Sequence, residues 1–226
     1  MKQATELEII DNRSEARAYI YKWLQEKFVT PEGETYALFD VTTLREALEY
    51  IGINSLEAHI LEMEETLKNN YNEKNAVLEY CQLFYGPHKL PCPPFGSYYV
   101  DTMIPMNQSA MMAIDDYTKW GLVLSEKSKL FPDHIAIELE FLYYLAVKEE
   151  EAREQGEYTN AITFVEAQQQ FLAKHLIRWV PHFVEKTVEA TAMKLFSGLV
   201  KFINDFIKED YKLLNDIKEQ YEESMN

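Results

Sequence analysis

Helix breakers are scarce in this chain, and they are gathered in one place. Its 226 residues hold seven glycines and eight prolines, and five of the prolines (Pro87, Pro91, Pro93, Pro94, Pro105) fall between residues 85 and 106. Glycine frees the backbone for turns, while proline lacks a backbone donor and disfavours helix in the residue before it. A chain with so little of either outside one short stretch runs from helix to helix. No segment alternates apolar and polar residues for long enough to make a convincing strand. No period of the 34- or 40-residue kind marks a solenoid. The expected fold is all-α: one compact domain of about ten helices over residues 1–226, with an N-terminal half (1–84), a Pro-rich connection (85–106) and a C-terminal half (107–226). Apolar residues make up 47% of the chain, enough to bury a sizeable core.

The helices show as apolar stripes at helical spacing. Residues 14–29 place Ala16, Ile20, Trp23, Leu24 and Phe28 on one face, with Asn12 and Glu15 as a plausible cap. Thr43 with Glu46, and Asn54 with Glu57, read as capping boxes before LREALEYI and AHILEMEETL. Residues 73–84 form the next helix, which ends at Gly86-Pro87, and 108–123 another, with Met112, Tyr117 and Trp120 as bulky positions. Pro132 suits the first turn of a helix, with Asp133 at its positive end and Ile135, Leu139, Leu142 and Leu145 on one stripe. Residues 159–176 carry Ile162, Val165, Phe171 and Leu172. Residues 190–208 carry Phe196, Leu199, Phe202, Ile203 and Phe206, and the polar tail KEQYEESMN is expected to fray.

Charge narrows the function. Thirty-eight acidic against 22 basic residues give a net charge of −16. Phosphate binding needs a dense Lys/Arg footprint, so nucleic acid is excluded as a partner, as is an anionic membrane surface. A negative surface favours basic partners, and it also simply keeps a protein dissolved. The N-terminus shows no apolar signal region, and no apolar run reaches the roughly 20 residues that span a bilayer, so a cytoplasmic location is expected. Cys81 and Cys92 are expected as free thiols, and with His88 they make an incomplete metal set, so no metal is assigned.

Motifs for chemistry are missing. The chain has no P-loop, no dinucleotide fingerprint, no nucleophile elbow, no HExxH and no Glu-x-x-His. This shifts the reading toward a binding protein. Two stretches stand apart. In residues 80–101, YCQLFYGPHKLPCPPFGSYYVD, aromatics and prolines alternate in a segment too stiff for a linker. It reads either as a crossover pinned to the core or as an apolar groove wall that binds peptide at low entropic cost. In Phe131-Pro132-Asp133-His134, an acid and an imidazole stand together at a helix start. They read as a cap and a satisfied histidine, or as partners for a ligand's arginine or backbone.

Together these stretches resemble the TorD/DmsD-type redox-enzyme maturation chaperones. The resemblance runs through Tyr80, Leu83, Phe84, Gly86 and Pro87, then Pro93, Pro94, Phe95, Ser97 and Tyr99, then Tyr117 and Gly121. Pro132, Asp133 and His134 follow at the expected distance, and His175, Trp179 and Pro181 match a later element. It is clearest from residue 80 to 208. Gln82 stands where the family often has Arg, and Phe95 where it commonly has Trp; His134 favours this branch over the nitrate-reductase branch. The resemblance implies a chaperone, not an enzyme. It would bind the twin-arginine leader and the apo form of a molybdoenzyme catalytic subunit, delaying export until the molybdenum cofactor is inserted. It implies no permanently bound cofactor, with transient contact to molybdopterin guanine dinucleotide or a guanine nucleotide left open, and either a monomer or a half-exchanged dimer. Tyr80, Leu83, Phe84, Pro94 and Phe95 would meet the apolar part of the leader, Asp133 and His134 its polar or basic groups, and Ser97 would also belong to the peptide-binding set. The alternatives are a helical small-molecule-binding protein, with Asp133 and His134 in acid–base work, and a generic helical adaptor.

Overall fold

The computed structural model describes residues 13–29, 41–69, 72–86, 89–100, 108–125 and 127–225. The expectations placed on Asn12, Pro87, His88 and Pro105 lie outside these. Ten α-helices occur among the described residues: α1 (Arg13–Lys27), α2 (Thr42–Ile51), α3 (Glu57–Asn69), α4 (Glu73–Phe84), α5 (Ser97–Val100), α6 (Gln108–Lys119), α7 (Ile135–Glu154), α8 (Tyr158–Lys174), α9 (Leu176–Ala190) and α10 (Lys194–Ser224). They contain no strand, and the one β-type contact among them is a single antiparallel bridge between Phe95 and His134. The fold is all-α and a single domain. No helix among the described residues is long and apolar enough to cross a membrane.

Helix α7 is central. Its apolar residues are spread around its circumference rather than along one stripe, as suits a helix covered on several sides. It packs on α1 and α8, while α10 lies across α3, α8 and α9. One core cluster draws on both halves of the chain, from Ala16, Ile20 and Leu24 to Leu139, Leu142, Leu199 and Phe206. Where α10 crosses α3, Gly198 lets the backbones close up; a Cβ there would stand 2.9 Å from Met63 Cγ.

The expected stripes are buried apart from the half-buried Ile162, but several boundaries move. Helix α2 starts at Thr42 behind Val41, so Thr43 lies inside the first turn rather than capping it. Asn54 begins a 3-10 turn (Asn54–Leu56) that leads into α3, so it is not the cap of that helix. Helix α6 stops at Lys119 instead of running to 123. Gly121 takes φ 74°, and Leu122 N–H closes on Tyr117 carbonyl at 3.0 Å, a left-handed helix stop that glycine adopts without strain. Pro132 is not in the first turn of α7: His134 is the N-cap, its Nδ1 accepting from Ala136 N–H at 3.1 Å. Residues 176–190, given no helix of their own in the sequence reading, form α9 with Pro181 inside it.

The tail also departs from expectation. Helix α10 runs 31 residues to Ser224, because Ile217 and Tyr221 continue its buried stripe. Tyr221 donates its hydroxyl to Glu149 Oε1 at 3.0 Å. That contact belongs to a buried polar cluster built around Arg17, which is fully covered. Its guanidinium reaches Asp210 (Nε–Oδ1 2.5 Å, Nη2–Oδ2 3.0 Å), Glu149 Oε2 (2.9 Å) and Gln168 Oε1 (2.5 Å). Tyr21 hydroxyl donates to Asp210 Oδ2 at 2.5 Å. The two carboxylates outweigh burial and hold the Arg17 guanidinium charged beyond its ordinary range.

Candidate functional site

The Pro-rich crossover is tied to the start of α7 backbone to backbone. Gly96 N–H donates to Asp133 carbonyl (3.0 Å), and Ile135 N–H donates to Pro94 carbonyl (2.9 Å). The Asp133 side chain adds a third tie, its Oδ2 accepting from Ser97 N–H at 2.6 Å. A charged acceptor makes this the strong kind of hydrogen bond. From the other side, Tyr117 hydroxyl donates to Pro132 carbonyl at 2.8 Å. The approach at Gly96 is close: a Cβ would stand 3.0 Å from Trp179 Cδ1. Tyr99 stacks on that indole, with centroids 5.7 Å apart and planes 14° apart.

A polar chain runs beneath. Trp179 Nε1–H donates to Glu138 Oε2 at 3.0 Å. Glu138 Oε1 lies 3.8 Å from His175 Nδ1, and His175 Nε2 meets Asp116 Oδ2 at 2.7 Å. Lys174 caps the chain at its exposed edge, 2.7 Å from the same oxygen. Burial pushes the Glu138 carboxyl well above the usual carboxylate range; the Trp179 bond opposes this and the nearby Asp133 charge adds to it. Burial also drives His134 down to about 4, so the N-cap imidazole is neutral at physiological pH, as accepting from Ala136 N–H requires. Burial lowers His175 as well, against the pull of Asp116.

Two polar atoms here are buried and have no partner among the described residues: Asp133 Oδ1 and Tyr99 hydroxyl. Buried groups of this kind are rare and mark places worth explaining. Above them the surface is aromatic. Phe131 is 54% exposed and Tyr98 38% exposed, and the half-buried Phe95 packs against both, at 5.6 Å and 6.3 Å between centroids.

The structure therefore divides the residues singled out from sequence. Pro94, Phe95, Ser97, Asp133 and His134 come together at this junction. Tyr80, Leu83 and Phe84 do not join its surface. They are 2–3% exposed and packed in the core, with Phe84 against Phe28, Phe183 and Phe196. They touch the crossover from below: Cys92 N–H donates to Leu83 carbonyl at 3.2 Å, and Phe183 bridges Phe84 to Tyr99. As placed, a ligand could reach them only by displacing core. Asp133 and His134 are themselves 0% and 6% exposed, so they position the surface rather than form it. Sequence reasoning missed Glu138, Asp116, Tyr98 and Phe131 as members of the site. Glu138 carried a weak signal, an acid in the middle of the apolar run IAIELEFL.

The junction thus presents an aromatic patch over partly unsatisfied polar groups. Comparison with known proteins bears on the family and the fold. The chaperone protein TorD of Vibrio cholerae serotype O1 is 27% identical over 220 residues, covering 94% of this chain and 96% of its own. TorD of Aliivibrio salmonicida is 27% identical over 210 residues, covering 89% and 95%. A Haemophilus influenzae protein described as the Tat proofreading chaperone DmsD is 28% identical over 115 residues, half of each chain. A solved structure described as a redox enzyme maturation protein from Archaeoglobus fulgidus shares the fold, with a TM-score of 0.51 at 21% identity over 85% of this chain and 93% of that one. The chain belongs to the family described as nitrate reductase delta subunit, which matches residues 53–185 and is represented here by TorD/DmsD-type relatives. It is a redox-enzyme maturation chaperone rather than an enzyme.

Proposed function

We propose that this chaperone binds the twin-arginine leader of an apo molybdoenzyme catalytic subunit at the junction of the crossover and α7, on the cytoplasmic side, and releases it for export after cofactor insertion. The observation that carries the proposal is the pairing of exposed Phe131 and Tyr98 with the unpartnered Asp133 Oδ1 beneath them. A leader offers an apolar stretch for the rings and arginines for the acidic surface of a chain with net charge −16. In this reading Phe95, Tyr98 and Phe131 make contact. Asp133, His134 and Ser97 hold the crossover in place, and Tyr80, Leu83, Phe84 and Pro94 support it from within. Contact with molybdopterin guanine dinucleotide or a guanine nucleotide is taken as transient.

Calorimetric titration with a synthetic leader tests this, beside a control with both arginines replaced by alanine. Tight binding that weakens sharply for the control is expected. Phe131→Ala should cost tenfold or more in affinity with little change in the unfolding midpoint, because that ring is 54% exposed and outside the core. A leader that binds Phe131→Ala and the parent alike removes the junction as the contact surface. GTP added to the same cell should leave the leader affinity unchanged.

A further inference from the structure

A second surface of α7 is only partly covered among the described residues: Ile137, Tyr144 and Val147 are half-buried there, beside the buried Phe141. Ile137, Phe141, Tyr144 and Val147 follow at spacings of three and four residues on the side of α7 that faces the 122–125 segment. With Leu122, Val123, Leu124 and Tyr117 they line a groove of about 440 Å³. Val123 is 88% exposed, an apolar side chain left in water beside it. The charged residue in the lining is Glu140, exposed and with no cation paired to it among the described residues. Lys22 lies over the ring of Tyr143, another lining residue, at 5.3 Å and pairs with Glu26 rather than Glu140.

We infer that this groove docks an amphipathic helix of a partner protein, with apolar residues on one face and a lysine or arginine reaching Glu140. Three features carry this. The stripe from Ile137 to Val147 extends about 15 Å at helical rise, the length of roughly three turns. An extended segment would press its own N–H and C=O groups against an apolar wall, whereas a helix brings those bonds satisfied. The lone carboxylate selects a cationic flank over an acidic one, and the net charge of the chain favours the same sign. The groove is separate from the aromatic junction but shares Tyr117 with it, whose hydroxyl holds Pro132 carbonyl. This inference does not rest on leader binding at the junction, and the two can fail independently.

The test uses the full chain and a designed fourteen-residue Leu/Lys helix, with a scrambled peptide of the same composition as control. Fluorescence anisotropy should show the helix binding at least tenfold more tightly than the scramble. Val123→Glu and Glu140→Lys, both at exposed positions, should each weaken the helix tenfold while leaving the unfolding midpoint and leader affinity unchanged. Amide shifts on titration should fall at Ile137, Tyr144 and Val147. Equal binding of helix and scramble, or variants that bind like the parent, would overturn the inference. So would a concentration-dependent dimer that Val123→Glu dissolves, which gives the groove to a second copy. Saturation by a small apolar dye that no peptide displaces would also overturn it, since the volume suits a small molecule.

Discussion

Two buried polar clusters hang from α7 about four turns and less than two turns into the helix, and they differ in what they leave open. Around Glu149 every carboxylate oxygen has a protein partner: Ser14 and Tyr221 on Oε1, Arg17 and Gln168 on Oε2, with Asp210 matched by Arg17 and Tyr21. Around Glu138 the oxygens meet one indole and one distant imidazole, the neighbouring Asp133 keeps an oxygen unpartnered, and the cation that ends the chain, Lys174, sits at the edge. The first cluster fixes which helices meet, joining α1, α7, α8 and α10. The second lies under exposed aromatics at the junction. A fully satisfied network rigidifies; a partly satisfied one keeps polar capacity for a partner.

The sharpest way to break this contrast is at Arg17. Arg17→Met strands two buried carboxylates, a loss of about 3–5 kcal/mol by analogy with other buried pairs. Urea unfolding should show the midpoint collapse. Replacing Asp210 and Glu149 by leucine in the same chain should restore much of it, since apolar residues can substitute for a buried ion group. A loss below about 1 kcal/mol for Arg17→Met would mean that the cluster is not a lock.

His134 sharpens the other end. Its folded pKa is about 4 against an ordinary 6.5, so between those values the folded state binds fewer protons than the unfolded one. Stability contributed by the neutral imidazole is therefore complete above pH 6.5 and drains away as pH falls toward 4. The shift corresponds to about 3 kcal/mol. His134→Asn keeps a capping acceptor but does not titrate. Its unfolding midpoint should change less between pH 7 and 4.5 than the parent's; parallel curves would show that His134 is not the titrating group.

What was legible in the sequence follows from the range of the interactions. The stripes of α1, α7, α8 and α10 are local patterns, and Phe196, Leu199, Phe202, Ile203 and Phe206 are all buried as their spacing implies. The resemblance likewise placed Pro94, Phe95, Ser97, Asp133 and His134, which the backbone ties bring together. The Arg17 cluster was invisible because its members are distant in sequence; Arg17 and Asp210 stand 193 residues apart. Tail composition hid the end of α10, where single residues, Ile217 and Tyr221, carry the burial. Tyr80, Leu83 and Phe84 read as a groove wall because apolar residues in a motif look the same whether they face a ligand or the core. The groove along α7 escaped notice for the opposite reason: a helix apolar on all sides does not reveal which side is left uncovered.

Gly96→Ala tests how closely the crossover must sit on Trp179. The added Cβ would stand 3.0 Å from Cδ1 and 3.1 Å from Nε1, so either the indole or the crossover must move. Overpacking of this kind costs about 1–3 kcal/mol. The Trp179 emission should shift, and leader affinity should fall further than stability does, because the aromatics ride on the displaced segment. An unchanged leader affinity with a shifted spectrum would detach the binding surface from the crossover.

The smallest effect is expected at Glu138, and it carries a sign that separates the two clusters. Burial raises its carboxyl, so the folded state keeps the proton to higher pH than the unfolded chain does. This group's contribution to stability is present below the unfolded carboxylate pKa and is lost as pH rises toward the folded one. Glu138→Gln retains an acceptor for Trp179 Nε1–H and removes the titration. The variant should match the parent near pH 5 and unfold at a slightly higher temperature at pH 8. The equivalent exchange in the locked cluster, Glu149→Gln, removes a charge that Arg17 needs and should destabilise at both pH values. If the two glutamine variants behave alike, the two ends of α7 are the same kind of polar cluster, and the junction loses its claim to be the open one.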